Sequence, residues 1–163
     1  MDMRWEGIWT VQHIRNGEVI WEDTGHNALA QQGEEAVLET FFRGDATYTP
    51  AQYYVRLCND SLLVTDTLTT ILNEPVGSGY VAQLLERSAV GFPTKEIDAG
   101  AYRIVSKVLS FTAAGGAIGP VTTAYLATSI DNTGKLIAYR PLVMTRTILD
   151  GDTMTINFRI KVS

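Results

Sequence analysis

The segment TMTINFRIKV, Thr153–Val162, alternates without a break between apolar and polar side chains. The apolar positions are Met154, Ile156, Phe158, Ile160 and Val162. Because successive side chains of an extended chain point to opposite faces, this pattern predicts a strand with one buried and one hydrated face. Such half-buried strands are typical of antiparallel sheets, so the segment favours an antiparallel β fold.

Five further runs of the chain are rich in β-forming residues and are separated by turn-forming stretches such as GFP, DAG and DGD. They cover residues 53–58, 80–85, 102–111, 121–128 and 135–144. Their spacing suits a sandwich or barrel, and the lack of a helical pattern after each strand disfavours a doubly wound α/β sheet. We therefore predict a mainly β protein, an antiparallel β-sandwich of jelly-roll-like or Greek-key type, whose strand order stays open.

The N-terminal segment RWEGIWTVQHIRNGEVIWED, residues 4–23, carries all three tryptophans of the chain. Asn16-Gly17 between two β-prone runs is a strong signal for a two-residue hairpin turn. Residues 1–23 are therefore predicted to form a hairpin, or an arm that lies on a neighbouring subunit.

Two segments have helical features. In the first, apolar residues recur at helical spacing and Gly44 stands where a C-terminal stop is expected, which predicts an α-helix near residues 30–42. In the second, TDTLTTILNEP, Thr65 or Asp66 can act as N-cap and Pro75 ends the segment, which predicts a short helix near residues 66–73.

Length and composition limit the class of protein. The 163 residues suit a single domain, residues 1–163, and 45% of them are hydrophobic while only 19% are charged. This low charge hints at surfaces that are buried against a partner. The net charge is −5 and Lys and Arg are not clustered, so nucleic acid is not an expected partner. We also expect no membrane span and no signal peptide, because the apolar runs are short.

Gly77-Ser78-Gly79 raises the question of a phosphate-binding loop. Such loops need a helix after the glycines, and a P-loop also needs a Lys followed by Ser or Thr. Here the glycines precede YVAQLLER, which has a strand-like pattern. A tight turn is the favoured interpretation, since glycine adopts positive φ angles at little cost.

The inventory of catalytic and metal-binding groups is poor, and we predict no enzyme, no cofactor and no metal site. His13 and His26 are the only histidines, and Cys58 is the only cysteine. Cys58 is expected to be a small buried residue and His26 a loop or capping residue. A Ser-His-Asp arrangement stays open at this stage, because its members meet only in space. The paired carboxylates, Glu34 with Glu35 and Asp150 with Asp152, are explained by a helix start and a turn.

The aromatic residues are the remaining candidates for a functional surface. The set is Trp5, Trp9, Trp21, Tyr53 and Tyr54. Core packing is the favoured role, and the alternative is that some of them anchor an interface, where Trp and Tyr are enriched.

The order of segments along the chain resembles a loose group of small structural proteins of tailed-bacteriophage virions. The segments are NGEVIWED, GHNALAQQGEEAVLETFF, YYVRLCND, DTLTTILNEPVGSGYVAQLLER, GPVTTAYLATSIDNTGKLIAYRPL and ILDGDTMTINFRIKV. They cover nearly the whole chain and consist of turn and core residues.

This resemblance implies a β-sandwich virion component without catalytic residues, made in the cytoplasm of the bacterial host. The favoured role is a capsid decoration or cement protein that binds the major capsid protein, as a homo-oligomer. Two alternatives are a small tail, baseplate or fibre subunit and a carbohydrate-binding β-sandwich module. An enzyme that uses His13 or His26 is the remaining class.

Overall fold

A computed structural model describes residues 5–45, 50 and 52–162, and all statements about structure refer to them. The elements follow one another as β1 (Trp5–Arg15), β2 (Glu18–His26), β3 (Ala28–Leu29), α1 (Gln31–Phe42), β4 (Gln52–Cys58), a 3₁₀ turn (Leu68–Thr70), β5 (Gln83–Glu86), β6 (Thr94–Asp98), β7 (Ala101–Val105), β8 (Leu109–Thr112), β9 (Ile118–Ala127), β10 (Leu136–Ile148) and β11 (Thr153–Val162).

The strands form two antiparallel sheets that share one hydrophobic core, which confirms the predicted mainly β antiparallel sandwich. Sheet A has the order β2-β1-β11-β7-β6, and β8 also pairs with β11. Sheet B has the order β3-β10-β9-β4-β5. The largest side chains of the shared core are Trp9, Phe111 and Phe158, and the rings of Trp9 and Phe158 stack with centroids 5.0 Å apart.

The N-terminal hairpin forms at the predicted turn. Asn16 and Gly17 have φ angles of 53° and 81°, as a two-residue turn with two left-handed positions requires. β1 lies inside sheet A, where it pairs with β2 on one side and with β11 on the other, from Trp5 opposite Val162 to Ile14 opposite Thr153. The described part of residues 1–23 is therefore built into the sheet and does not project from it as an arm.

The predicted run 102–111 forms two strands. β7 and β8 pair with the same edge of β11 and are separated by residues 106–108. At this interruption Ser106 N–H donates to Phe158 O over 2.8 Å, and Phe158 N–H donates to Ser106 Oγ over 2.9 Å. The side-chain oxygen thus replaces one backbone acceptor and keeps β11 continuous. The short strands β3 and β6 were not predicted from the sequence.

Helix α1 agrees with the prediction near residues 30–42, and it packs closely against β10. A Cβ added to Gly33 would lie 2.0 Å from the carbonyl oxygen of Ile137, so only glycine allows this approach.

The second predicted helix, near residues 66–73, is only the 3₁₀ turn Leu68–Thr70. The physical reason lies in Asp60. Its carboxylate accepts the backbone N–H groups of Leu72 and Asn73, over 3.2 and 2.8 Å, and so fixes them in an extended segment that cannot continue a helix.

A second, smaller core covers the outer face of sheet B. The segment between β4 and β5 and the start of α1 fold over this face. The buried members are Ala30, Cys58, Leu62, Leu68, Ile71, Tyr125, Ala127, Leu136 and Tyr139. The middle of sheet B is therefore buried on both faces.

Candidate functional site

Gly77-Ser78-Gly79 forms a tight turn, as predicted. The three residues have φ angles of 76°, 51° and 77°, and Tyr80 N–H donates to Gly77 O over 2.9 Å. Ser78 O accepts the N–H of Ala114 over 2.9 Å, which ties this turn to the loop between β8 and β9. The role of the motif is to connect two loops.

Arg56 is the centre of a buried polar network on the covered face of sheet B. Its side chain is 4% exposed and pairs with Glu74 through Nε, over 2.9 Å, and through Nη2. Nη1 donates to the carbonyl oxygen of Asp131 over 2.9 Å, and Nη2 donates to Asn132 Oδ1 over 3.1 Å. The guanidinium also lies 5.3 Å from the ring centroid of Tyr125. These contacts hold two separate loops on the sheet, the segment between β4 and β5 and the loop between β9 and β10.

Tyr80 and Cys58 complete this region without offering a reactive group. Tyr80 Oη donates to Glu74 Oε1 over 2.6 Å and accepts the N–H of Leu57 over 3.0 Å. Burial and the hydrogen bond to Glu74 raise the pKa of Tyr80 above its ordinary value. Burial raises the pKa of Cys58 to about 12, so its sulfur stays a thiol at neutral pH. The prediction of a small buried cysteine is confirmed, because Cys58 is 0% exposed.

His13 belongs to a second buried network, at the end of the sandwich where β10 turns into β11. Its Nδ1 accepts a hydrogen bond from Arg146 Nη2 over 2.8 Å, because a guanidinium can only donate. Nε2 then carries the proton and donates to Asp152 Oδ2 over 2.8 Å. With both ring nitrogens engaged and 1% exposure, His13 has no nitrogen left to act as a general base.

Asp152 receives a second hydrogen-bond donor, the guanidinium of Arg15, from β1. Arg15 donates to its two carboxylate oxygens through Nε and Nη2, over 3.0 and 2.8 Å. The hydrogen bond from Arg15, assisted by the one from His13, holds the pKa of Asp152 well below its ordinary value. Its neighbour Asp150 has a different role and accepts the N–H of Gly115 over 2.8 Å. Asp150 and Asp152 therefore have separate structural roles.

A third buried pair connects the two sheets directly. Arg140 of β10 donates to Asp23 of β2 over 2.6 Å, and both residues are buried. Asp23 also accepts the N–H of Val143 over 3.0 Å. Charged groups in the interior of this protein are thus paired and hydrogen-bonded.

The described residues were compared with the requirements of a metal site and of a membrane-spanning helix. Among them, no group of three or more His, Cys, Asp and Glu side chains could hold a metal ion. His26 is exposed at the end of β2 and belongs to no such group. The helices of the described part of the chain are too short to cross a bilayer.

An apolar cleft lies between the sheets, at the end where β11 terminates. Its volume is about 360 Å³. Polar groups at its wall include Arg87 and Asn27, and the aromatic residues that line it are Trp5, Trp9, Tyr53, Phe92 and Phe158. Trp5 is 41% exposed at the mouth, whereas Trp9 is 2% exposed and forms part of the core behind it.

The five aromatic candidates are distributed over different surfaces. Trp5, Trp9 and Tyr53 line the cleft, and Trp9 is the most deeply buried of the three. Trp21 is half-buried under the guanidinium of Arg146, 5.0 Å from its ring centroid. Tyr54 is half-buried on the outer side of sheet B.

The opposite end of the sandwich carries exposed apolar side chains that sequence reasoning missed. Val76 is 94% exposed, Leu72 80% and Leu149 48%. They flank the turn of Gly77-Ser78-Gly79 and the turn between β10 and β11. The available sequence signal was weak: each residue is a single apolar residue next to a turn former.

The outer face of sheet A is polar. Its central strands present Thr10, Gln12, Thr155 and Asn157, none of which is buried, and a shallow cleft runs between them. None of the five candidate aromatics lies on this face in the register of β1, β2 and β11. This face therefore gives no support to the hypothesis of a carbohydrate-binding module that uses these aromatics.

In the described part of this β-sandwich the buried charged groups are engaged in ion pairs or hydrogen bonds, and apolar side chains are exposed at both ends. A family model described as "Podophage GP4 fiber I protein gp80" matches residues 28–160, and the chain belongs to this family. It is therefore a structural protein of a phage virion, and its family is not a family of enzymes. A comparison with curated proteins finds no significant match. The match begins at β3, so the hairpin of β1 and β2 lies outside it although β1 is central to sheet A.

Proposed function

We propose that the chain is a fibre subunit of the virion and that it acts by assembling with other virion proteins. The observation that supports this role best is the match to a fibre protein family over residues 28–160, which includes every strand from β3 to β10 and most of β11. This favours the fibre alternative over capsid decoration, the role that the sequence resemblance had favoured.

The geometry supports an assembly role rather than a chemical one. His13 has both ring nitrogens engaged, and the thiol of Cys58 is buried. By contrast, the cleft and the exposed apolar residues at the opposite end are unpartnered within the described residues. Apolar surfaces of this kind are typical of proteins that are covered by neighbours in an assembly.

Immunogold electron microscopy of intact virions tests the proposed location. Antibodies raised against the purified chain should label a fibre, and preincubation with the purified chain should remove the label. Label distributed over the capsid shell would overturn the fibre proposal in favour of a decoration protein. Label on neither structure of intact particles would overturn both.

The proposal also implies association with further copies or with other virion proteins. Light scattering of the purified chain over about a hundredfold range of concentration measures self-association. A mass that rises with concentration supports a subunit that binds its own kind, whereas a constant monomer mass directs the search to a different virion protein.

A further inference from the structure

The cleft between the sheets is walled by three separate parts of the fold. Trp5 and Trp9 come from β1 of sheet A, Tyr53 from β4 of sheet B, and Val37 from α1. The volume of about 360 Å³ lies within the range of about 300–1,000 Å³ that is typical of small-molecule sites. Apolar protein cavities of about 150 Å³ already accept benzene, so this cleft has room for a molecule with two rings.

The walls of the cleft favour an aromatic ligand. The rings of Trp9 and Phe158 stack with centroids 5.0 Å apart, and Phe92 meets Phe158 edge to face over 5.9 Å. A further ring placed against them can make the same two kinds of contact, which stabilise aromatic pairs beyond the burial of apolar area. An aliphatic chain would gain only the burial. The lining therefore selects rings.

The charged groups at the cleft favour a neutral molecule. Glu6 and Arg87 both belong to the lining, so one carboxylate and one guanidinium face a ligand together. An anion would be attracted by Arg87 and repelled by Glu6, and the reverse holds for a cation. Burial raises the pKa of Tyr53, so the hydroxyl group of this third polar residue stays neutral at pH 7. The lining therefore gives no advantage to either sign of charge.

Asn27 brings a hydrogen-bond acceptor without a donor to the same wall. Its Oδ1 is buried and has no hydrogen-bond partner among the described residues, whereas its Nδ2 donates to Ala28 O over 3.3 Å. A Cβ added to Gly7 would overlap Asn27 Oδ1, so the glycine makes the space that the amide occupies. Both residues line the cleft. A buried acceptor without a donor costs free energy, and a ligand that brings an N–H or O–H group would remove this cost.

We propose that the cleft is a binding site for a small, neutral aromatic molecule that carries one hydrogen-bond donor. Its ring lies against Trp9 and Phe158, and its donor binds Asn27 Oδ1. This binding activity goes beyond the proposed function and does not depend on it. Because the site is walled by both sheets and by α1, the bound molecule connects these three parts and stabilises the folded sandwich.

Indole and indene test the site, because they share their shape and differ in the N–H group. Isothermal titration calorimetry of the full chain should show saturable binding of one indole per chain. Indene should bind about threefold to tenfold more weakly, as expected for the loss of one hydrogen bond to a buried acceptor. Indole that does not bind saturably, or equal affinities for the two molecules, would overturn the inference.

The three tryptophans report where indole binds. Trp5 and Trp9 line the cleft, whereas Trp21 lies under Arg146 and outside the lining. In NMR spectra of the isotope-labelled chain, unlabelled indole should shift the side-chain N–H signals of Trp5 and Trp9 and leave that of Trp21 in place. A shift of Trp21 alone, or of none of the three, would overturn the location.

Asn27→Leu tests the acceptor. The variant lacks Oδ1 and should lose the preference for indole over indene. Asn157→Leu, on the outer face of sheet A, is the matched control and should keep the preference. A preference that persists in Asn27→Leu would overturn the role of Asn27. The comparison of indole with indene in the unchanged chain needs no variant, so it decides the inference even where Asn27→Leu does not fold.

N-acetyltryptophanamide distinguishes a free molecule from the side chain of a partner protein. It should bind more weakly than indole, because its two amide groups would enter an apolar cleft. Binding as tight as that of indole would overturn the assignment to a small molecule in favour of a tryptophan of a partner. Fibre labelling by immunogold without binding of indole would remove this inference and leave the fibre proposal intact.

Discussion

The outer faces of the two sheets differ in their exposure to water. On sheet B the outer side chains of β4 and β9 are buried under the segment between β4 and β5, and Arg56 is paired there with Glu74. On sheet A the outer side chains at the centre of β1 and β11 are the hydroxyl and amide groups of Thr10, Gln12, Thr155 and Asn157, none of which is buried. The covered face of sheet B is therefore held by apolar packing and an ion pair, whereas the water-exposed face of sheet A carries hydrogen-bonded hydroxyl groups.

The same contrast appears in the energetics. A buried ion pair stabilises little by itself, but removing one partner strands the other charge in the interior. Surface hydroxyl pairs such as Thr10 with Thr24, 3.0 Å apart, lose little when one partner is replaced, since water takes its place. Substitutions on the two faces should therefore differ strongly in their effect on the free energy of unfolding.

Glu74→Gln should have the largest effect. It leaves the guanidinium of Arg56, 4% exposed, without its charge partner, and the expected loss of stability is about 3–5 kcal/mol. Urea unfolding monitored by tryptophan fluorescence measures it. The matched control is Glu39→Gln, whose partner Arg43 is 75% exposed, and it should cost a few tenths of a kcal/mol, roughly what exposed pairs contribute. Equal losses for the two variants would contradict the role of the Arg56 network.

Leu68→Ala removes an apolar side chain from the cover of sheet B. Leu68 is 1% exposed, and truncation of a buried leucine costs about 2–5 kcal/mol. The same change at Leu63, 64% exposed in the same segment, provides the control and should cost much less. Urea midpoints of the two variants compare them directly. If Leu68→Ala and Leu63→Ala behave alike, the segment does not pack on sheet B as described.

Asp152→Asn tests the anchor of sheet A at the start of β11. The variant should lose about 2 kcal/mol at neutral pH, because a charged acceptor of Arg15 and His13 becomes neutral. The native pKa of Asp152 is depressed, so its stabilisation is complete above the unfolded value of about 3.9 and is lost as pH falls below it. The difference in stability between the two proteins should therefore narrow between pH 5 and pH 2, as roughly expected from that linkage. A difference in stability that does not change with pH would contradict the depressed pKa of Asp152.

Thr10→Val should have the smallest effect. It keeps a β-branched side chain on an exposed strand face, and the expected change lies within about 0.5 kcal/mol. Thermal unfolding compares it with the unchanged chain. A loss above about 1 kcal/mol would show that the outer face of sheet A is not open to water and that the contrast between the two faces is smaller than described.

Much of the fold could be predicted from local pattern alone. Period-two alternation defined β11, Asn16-Gly17 defined the first hairpin, and the helical spacing of apolar residues defined α1. These signals arise between residues a few positions apart, where the geometry of the backbone dictates the pattern. The predicted length of the helix near 66–73 was too great. Asp60 lies outside that segment, and its carboxylate accepts the N–H groups of Leu72 and Asn73.

The sequence by itself determined that this protein is an antiparallel sandwich with few catalytic groups, because strand period and composition are local properties. The tertiary structure alone decided which charges are partners and where the open surfaces lie. Asp152 reaches His13 across 139 positions, and the cleft is lined by residues from both sheets and α1. Such contacts depend on strand order and sheet packing, and many strand orders share the same alternating pattern.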